Sequence, residues 1–447
     1  MSVPAILTSE ECEALSQRIL SRMSAPEAEV DISSSARAST EFARGDAHVA
    51  GETRSTAVTL TVAVAGGRAF VQTNRLDEPG LAALAREAEA LPREYRTSDA
   101  RPFLDPQTYA KGPQIYFDAT AEAMAAESQA AIFRRATDAA EAAGLIAAGD
   151  LALHARTRWV HNTSGLTAYE RSTYGELSLT SRTTDGRGSG WAWGGYEDWT
   201  RVDVQAVIAR AVDLARRSAN PVAVEPGRYP VILEPAAVAA LIEPILDEWP
   251  ARWADAGLTA FAKEPLGTNK IGLRMLDRRL GMVSSPWDPE RPASTIAGGW
   301  APVRGPVTWF EQGVLANLRY DPGYAAEKGR ASVVDPGGVR LTAEGAPTSL
   351  EEMIASTKRG IWVNRLSQVA VMSRRTLLLT GTTRDGTFLV ENGKITKAIK
   401  NLRFTESPFF VLNRLEASGD PVRASASIVA PRLKLLDFDF TSLTDAV

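Results

Sequence analysis

Residues 376–404, TLLLTGTTRDGTFLVENGKITKAIKNLRF, decide the fold class. Leu, Thr, Phe, Val and Ile suit a pleated, half-buried surface. Their runs are interrupted at Asp385-Gly386 and Asn392-Gly393. Such dipeptides supply the positive φ of two-residue hairpin turns, so the stretch predicts strands joined by two tight turns. Working outward, VTWFEQGVLANLRY (307–320) repeats the arrangement about Gln312-Gly313. The closing LKLLDFDFTS (433–442) alternates, with Phe438 and Phe440 on one strand face and Asp437 and Asp439 on the other. One helix, about 349–358, begins at a Ser349/Glu352 capping box and ends near Gly360. The second half is therefore expected to be a β-rich, barrel-like domain with few helices.

The first half mixes periods. Thr8 and Glu11 have capping-box spacing ahead of Leu15, Ile19 and Leu20, which predicts a first helix from Thr8 or Ser9. In residues 56–73, Val58, Leu60, Val62 and Val64 alternate with smaller or polar residues, and Gly66-Gly67 turns the chain into a second strand. Alanine-rich residues 80–91 and 119–143 predict helices. Residues 151–182 return to strands around a Thr163-Ser164-Gly165 turn, and a helix follows at about 202–217. This order describes helices on a mainly antiparallel sheet, an α+β arrangement. SANPVAVEPGRYPVILEP (218–235) carries four prolines and a glycine, which favour extended chain. The boundary is placed there, giving domains 1–223 and 224–447.

With 447 residues, 44% hydrophobic and 23% charged, the chain can bury a large core and is expected to be globular. A formal charge of −4 gives no basic footprint for nucleic acid or an anionic membrane. The N-terminus has no basic region followed by a long apolar run, and no stretch approaches the roughly 18 apolar residues of a membrane span. Cys12 is the sole cysteine, which excludes an intrachain disulfide and fits a reducing, cytoplasmic setting.

Catalytic groups are scarce. The three histidines are His48, His154 and His161. The last two fall in one predicted strand at an odd separation, so they face opposite ways and do not share a metal. DGRGSGWAWGG (185–195) lacks the Lys-Ser/Thr of a P-loop, and Trp191 stands where GxGxxG needs its last glycine. It is read as a flexible loop able to cover a groove. AALIEPILDEW (239–249) is read as a short amphipathic helix. Its Glu243 and Asp247 share a face at i and i+4, with Glu248 adjacent. Paired carboxylates can do acid–base work or hold a hard cation. The plainer reading is a solvated helix face.

Six segments in order resemble the TldD/PmbA family, the TldD/TldE proteins once described as modulators of DNA gyrase. They lie at 39–53, 157–191, 220–235, 289–321, 348–363 and 377–407 and span nearly the whole chain. The RYPVILEP boundary (228–235) and ENGKITKAIKNLRF (391–404) are the most specific. TldD-like members carry His-Glu-x-x-x-His on the helix after the equivalent of RYPVILEP, and a C-terminal cysteine completes a zinc site. TldE (PmbA) members lack these ligands and pair with TldD to cleave unfolded peptides. Ile242-Glu243-Pro244-Ile245-Leu246-Asp247 falls at the zinc-helix position. The glutamate is retained as Glu243, while Ile242 and Asp247 replace the histidines and Pro244 interrupts the helix interior. No histidine follows His161 and no cysteine follows Cys12.

The resemblance thus implies a TldE-like subunit with no catalytic, cofactor or metal residues of its own. Zinc is expected in a TldD-like partner, in a heterodimer, with a homodimer as the other arrangement. The substrate implied is an unfolded peptide. The alternative is a stand-alone peptide- or protein-binding module. A third reading is an altered enzyme using Glu243, Asp247 and Glu248 with a divalent ion.

Overall fold

The computed structural model describes residues 6–64, 67–91 and 103–444. Helix α1 (Ser9–Leu20) opens with the expected reciprocal cap. The Thr8 hydroxyl accepts the Glu11 N–H at 3.3 Å, and the Glu11 carboxylate accepts the Thr8 N–H at 2.8 Å. Strands β1 (Ala28–Ala43), β2 (Asp46–Val64) and β3 (Gly67–Thr73) follow, then helix α2 (Glu78–Ala90). Val64 pairs with Gly67 across the first predicted hairpin, while Gly66 itself lies outside the described residues. The alanine-rich run forms two helices, α3 (Asp118–Glu122) and α4 (Ala126–Ala142). Strands β4 (Leu145–Asn162), β5 (Thr167–Thr183) and β6 (Ser189–Tyr196) and helix α5 (Val204–Arg217) complete this half.

These strands make one antiparallel sheet in the order β3-β2-β1-β4-β5-β6. One face of β1, β4 and β5 (Ala38, Phe42, Leu151, Leu153, Leu177, Leu179) packs on Ile132 and Ala136 of α4 and Ile208 and Ala211 of α5. Helices α1 and α2 cover the neighbouring part, where Leu15, Ile19, Leu81 and Leu84 meet Ile32, Val58 and Leu60. The glycine-rich 185–195 run is not a flexible loop. From Ser189 it is the edge strand β6. A Cβ on Gly190 would lie 2.3 Å from the Ala215 nitrogen, and one on Gly188 would lie 2.6 Å from the Ala219 Cα. These glycines let α5 lie against the strand, so they mark close approach and not mobility.

The second half contains β7 (Gly227–Leu233), α6 (Pro235–Leu246), α7 (Ala251–Asp255), β8 (Ala262–Lys263), β9 (Thr268–Asn269), β10 (Leu280–Ser284), β11 (Val307–Glu311) and β12 (Val314–Leu315). It continues with α8 (Pro322–Glu327), β13 (Val339–Ala343), α9 (Leu350–Ala355), β14 (Arg359–Ser373), β15 (Leu378–Glu391) and β16 (Lys394–Ala398). The last elements are β17 (Leu402–Glu406), α10 (Pro408–Val411), β18 (Leu415–Arg423) and β19 (Ile428–Leu443). Strands β7, β14, β15, β17 and β19 pair in that order, and β19 returns to β7, closing a five-stranded barrel. The fold is α+β, as expected, with an antiparallel sheet first and a helix-poor barrel second.

Turn chemistry held at Gln312-Gly313 and Asn392-Gly393, where both residues have positive φ between paired strands. Asp385-Gly386 is different. It lies inside β15, with φ of 53° and 120°, opposite a register shift in β14 between Val363 and Arg365. Two residues there oppose Asn364, so the dipeptide makes a bulge in a continuous hairpin. The Asn364 side-chain amide donates to the Asp385 carbonyl at 3.0 Å and satisfies it.

The helix after β7 and the cleft at its start

The apolar run Val231-Ile232-Leu233 pairs within the barrel, and Pro235 at the first helical turn starts α6. A proline is tolerated there because its missing N–H has no helical partner anyway. Helix α6 is not the amphipathic helix expected. Ala237, Val238, Ala239, Leu241, Ile242 and Ile245 are all buried, and Glu243 is its only charged residue. A helix apolar nearly all round belongs in a core. It sits against β14 and β19 and shares the barrel's cluster with Leu233, Val363, Leu433 and Leu435. Pro244 lies within the helix, two residues before its end at Leu246.

The residues that the resemblance matches to a zinc helix separate. Ile242 is fully buried and offers no donor atom. Glu243 is exposed and accepts from the Ser427 hydroxyl at 3.3 Å. Asp247 is exposed at the C-cap, and its backbone carbonyl accepts from Arg374 at 3.4 Å. Glu248 is buried, ion-paired to Arg374 at 2.8 Å and accepting the Ala260 N–H at 3.2 Å. Burial pushes its carboxyl above the usual range, against the pull of the Ala260 N–H and Arg374. Glu243 and Asp247 share the open side, as their spacing predicts. Glu248 does not join them, and among the described residues no three His, Cys, Asp or Glu converge as metal ligands. The set does not fit a zinc ion, and the three-carboxylate cation site has no geometry to support it. His154 and His161 both lie in β4 seven residues apart, and His48 is exposed on β2.

Sequence reading missed Glu234, the residue before α6. Its carboxylate receives Arg432 at 2.6 and 2.9 Å, Arg210 at 2.9 Å and the Trp362 indole at 2.9 Å. Burial raises its pKa, but the guanidiniums and the indole outweigh that and hold it below the usual carboxylate value. Arg210 also donates to the Asn364 side chain at 3.0 Å, and Asn364 donates to the Trp191 carbonyl of β6 at 2.9 Å. The sheet edge, α5, β14 and β19 are thus gathered at the start of α6. The signal was present as Glu-Pro after an apolar strand, but its partners lie up to 198 residues away in sequence.

A cleft of about 230 Å³ opens at this point. Its walls include Trp191–Trp193 of β6, Glu234–Ala236 at the head of α6, and Val422–Ala424 at the end of β18. Beside it, Arg423 binds Glu197 through two nitrogens at 3.1 and 3.2 Å and ties the barrel to the sheet. Glu290 extends this junction by accepting from Arg201 and Tyr196, each at 3.0 Å.

A closed five-stranded barrel carrying a buried helix, joined to a six-stranded antiparallel sheet, defines the structural class. Over 96% of this chain and 100% of theirs, it resembles a Thermotoga maritima protein described as a modulator of DNA gyrase (16% identity, TM-score 0.82). It resembles TldE from Thermococcus kodakarensis over the same shares (17% identity, TM-score 0.79). A Bacteroides thetaiotaomicron protein, also described as a modulator of DNA gyrase, matches over 98% of this chain and 100% of its own (20% identity, TM-score 0.81). No curated protein matches by sequence. The sequence does match the PmbA/TldA metallopeptidase central domain over residues 119–219 and the C-terminal domain over residues 226–442. The chain belongs to the PmbA/TldD metallopeptidase family. No helix among the described residues is long and apolar enough to cross a membrane.

Proposed function

We propose that the chain is the non-catalytic, TldE-like subunit of a zinc peptidase that acts on unfolded peptides, with the zinc held by a TldD-like partner. The carrying observation is the α6 position itself. Ile242, matched to a ligand position by the resemblance, is packed into the core, and Asp247, matched to the other, stands at the C-cap of the helix. Restoring a ligand there means breaking packing as well as changing a side chain. The role left to the chain is to bind substrate backbone and complete the partner's enclosed site, recognition that strand edges perform through main-chain hydrogen bonds.

The test is co-expression with a family member that bears His-Glu-x-x-x-His, followed by metal analysis and cleavage of casein or an unfolded peptide. Expected are a stable complex, zinc at one equivalent per pair, and cleavage only by the pair. A purified chain that binds zinc tightly and cleaves alone overturns the proposal. Failure to associate with such a partner, combined with peptide binding, favours the stand-alone binding module.

A further inference from the structure

We infer that the junction between sheet and barrel holds an oxyanion site, a cationic cavity that takes phosphate or a small carboxylate and staples the two halves together. This site is independent of the peptidase reading and shares no lining residue with the cleft at the start of α6. Strand β15 changes neighbours at its bulge. It pairs with β17 as far as Thr382 and with β16 from Phe388 onward. Among the described residues, 383–387 therefore have no strand on that side. A cavity of about 240 Å³ opens at this gap. The barrel lines it with Asp385, Thr387, Lys400 and Asn401. Arg187, in the turn before β6, and Ser218, the C-cap of α5, line it from the sheet.

The charge around this cavity is unbalanced. Asp385 is the acid in its wall. Its side chain is fully buried and ion-paired to Arg365, with Arg384 at 3.8 Å. Two guanidiniums thus share one carboxylate, and Arg182 adds a third positive charge that Arg365 feels. Burial, with repulsion from Arg384 and Arg182, holds Arg365 below the ordinary arginine value in spite of Asp385. The Arg365 Nε is buried without an acceptor. Lys400 and Arg187 bring two more cations to the lining. Asp185 lies close enough to feel the Arg187 charge, but its carboxylate accepts from the Thr183 hydroxyl at 2.6 Å and the Arg187 N–H at 3.0 Å. Like charges gathered out of water destabilise one another, and an added anion relieves that. A cavity lined mainly by one sign also concentrates counter-ions. Guanidinium and ammonium groups match the oxygens of phosphate or carboxylate. The Ser189 hydroxyl and the Asn401 amide, whose oxygen accepts from Thr387 at 3.1 Å, add neutral donors. The volume falls below the roughly 300–1,000 Å³ of pockets for drug-sized ligands, which selects a small ion or compact ester. Bound there, the anion ties Arg187 of the sheet to Lys400 of the barrel, whose N–H already pins Val222 at 2.9 Å.

The experiment titrates the purified chain calorimetrically with inorganic phosphate and, separately, with succinate, each against sodium chloride of equal ionic strength. At least one is expected to bind with a dissociation constant below about 1 mM, and the tighter of the two names the ligand class. Arg187→Met and Lys400→Met remove exposed cations. Each is expected to weaken binding at least fivefold without lowering the melting temperature in buffer free of both anions. Arg86→Met, on α2 over the opposite edge of the sheet, is the control and is expected to leave binding unchanged. The bound anion is also expected to slow proteolytic cleavage within residues 218–226 at least threefold in the parent, and not in the Arg187→Met/Lys400→Met double variant. Absence of binding by both anions, or binding that survives the double variant, overturns the site. Binding that leaves the cleavage rate unchanged overturns the staple.

Discussion

Glu406 ends β17 with its side chain 5% exposed, accepting the Asp439 N–H of β19 at 3.0 Å, while Arg228 of β7 lies 3.8 Å away. Burial raises its carboxyl to about 7, against the pull of that N–H and of Arg228. The folded-state value lies above the ordinary 4.5, so the folded chain binds this proton more tightly than the unfolded chain does. The resulting stability is full below about pH 4.5 and is lost as pH rises through about 7. Glu406→Gln keeps a neutral group at all pH values. It is expected to stabilise the chain by about 1–3 kcal/mol at pH 8 and to do little at pH 4.5, read from urea unfolding at both. A variant less stable than the parent at pH 8 contradicts this. Glu234 has the opposite sign. Its folded-state pKa is depressed, so its stabilisation is present above the ordinary carboxylate value and fades as pH falls through the folded one. Glu234→Gln weakens its hold on two arginines and is expected to cost about 2–4 kcal/mol in unfolding free energy at pH 7.

At the scale of elements, α6 shows what local sequence reveals and what it does not. The i and i+4 spacing of Glu243 and Asp247 correctly placed both on one side, because helix geometry alone fixes that. The amphipathic reading failed because the environment on the other sides comes from β14 and β19, more than a hundred residues downstream. The same limit explains Asp385-Gly386. Positive φ was legible, but whether it makes a turn or a bulge depends on how far β14 extends opposite it. It also explains β6, whose glycines answer to α5 packed against them. Glu234 was invisible as a site because its partners are drawn from three distant elements. A consequence for α6 is that ligand restoration fails. Ile242→His with Asp247→His puts an imidazole in the apolar core and still lacks a third ligand. The double variant is expected to lose about 2–5 kcal/mol of stability and to gain no tight zinc binding, checked by thermal unfolding and zinc competition with a chelator. Micromolar or tighter zinc binding by the variant alone would show that the helix is poised as a metal site after all.

At the scale of the molecule, the proposed boundary at residues 223 and 224 is not a free linker. Val222 N–H donates to the Ala398 carbonyl at 3.0 Å, and Lys400 N–H donates to the Val222 carbonyl at 2.9 Å. The connection is therefore stapled to the loop between β16 and β17, and a protease needs it released before cutting. Prolines at 221 and 226 made this stretch legible as extended chain, but nothing local showed that it pairs. The other restraint is Arg423, whose side chain is 2% exposed and whose counter-charge, Glu197, comes from beyond β6. Removing one partner of a buried ion pair strands the other charge, which costs about 3–5 kcal/mol, whereas an exposed pair is worth about 1 kcal/mol or less. Glu197→Ala is thus expected to destabilise strongly. Because Arg423 joins the barrel to the sheet, the loss should act on their association before either core melts. Limited proteolysis is expected to cut within residues 218–226 faster in the variant than in the parent, giving two fragments that resist further cleavage. Digestion to small peptides with no stable fragment would mean that sheet and barrel unfold as one unit and that the boundary is not a domain boundary.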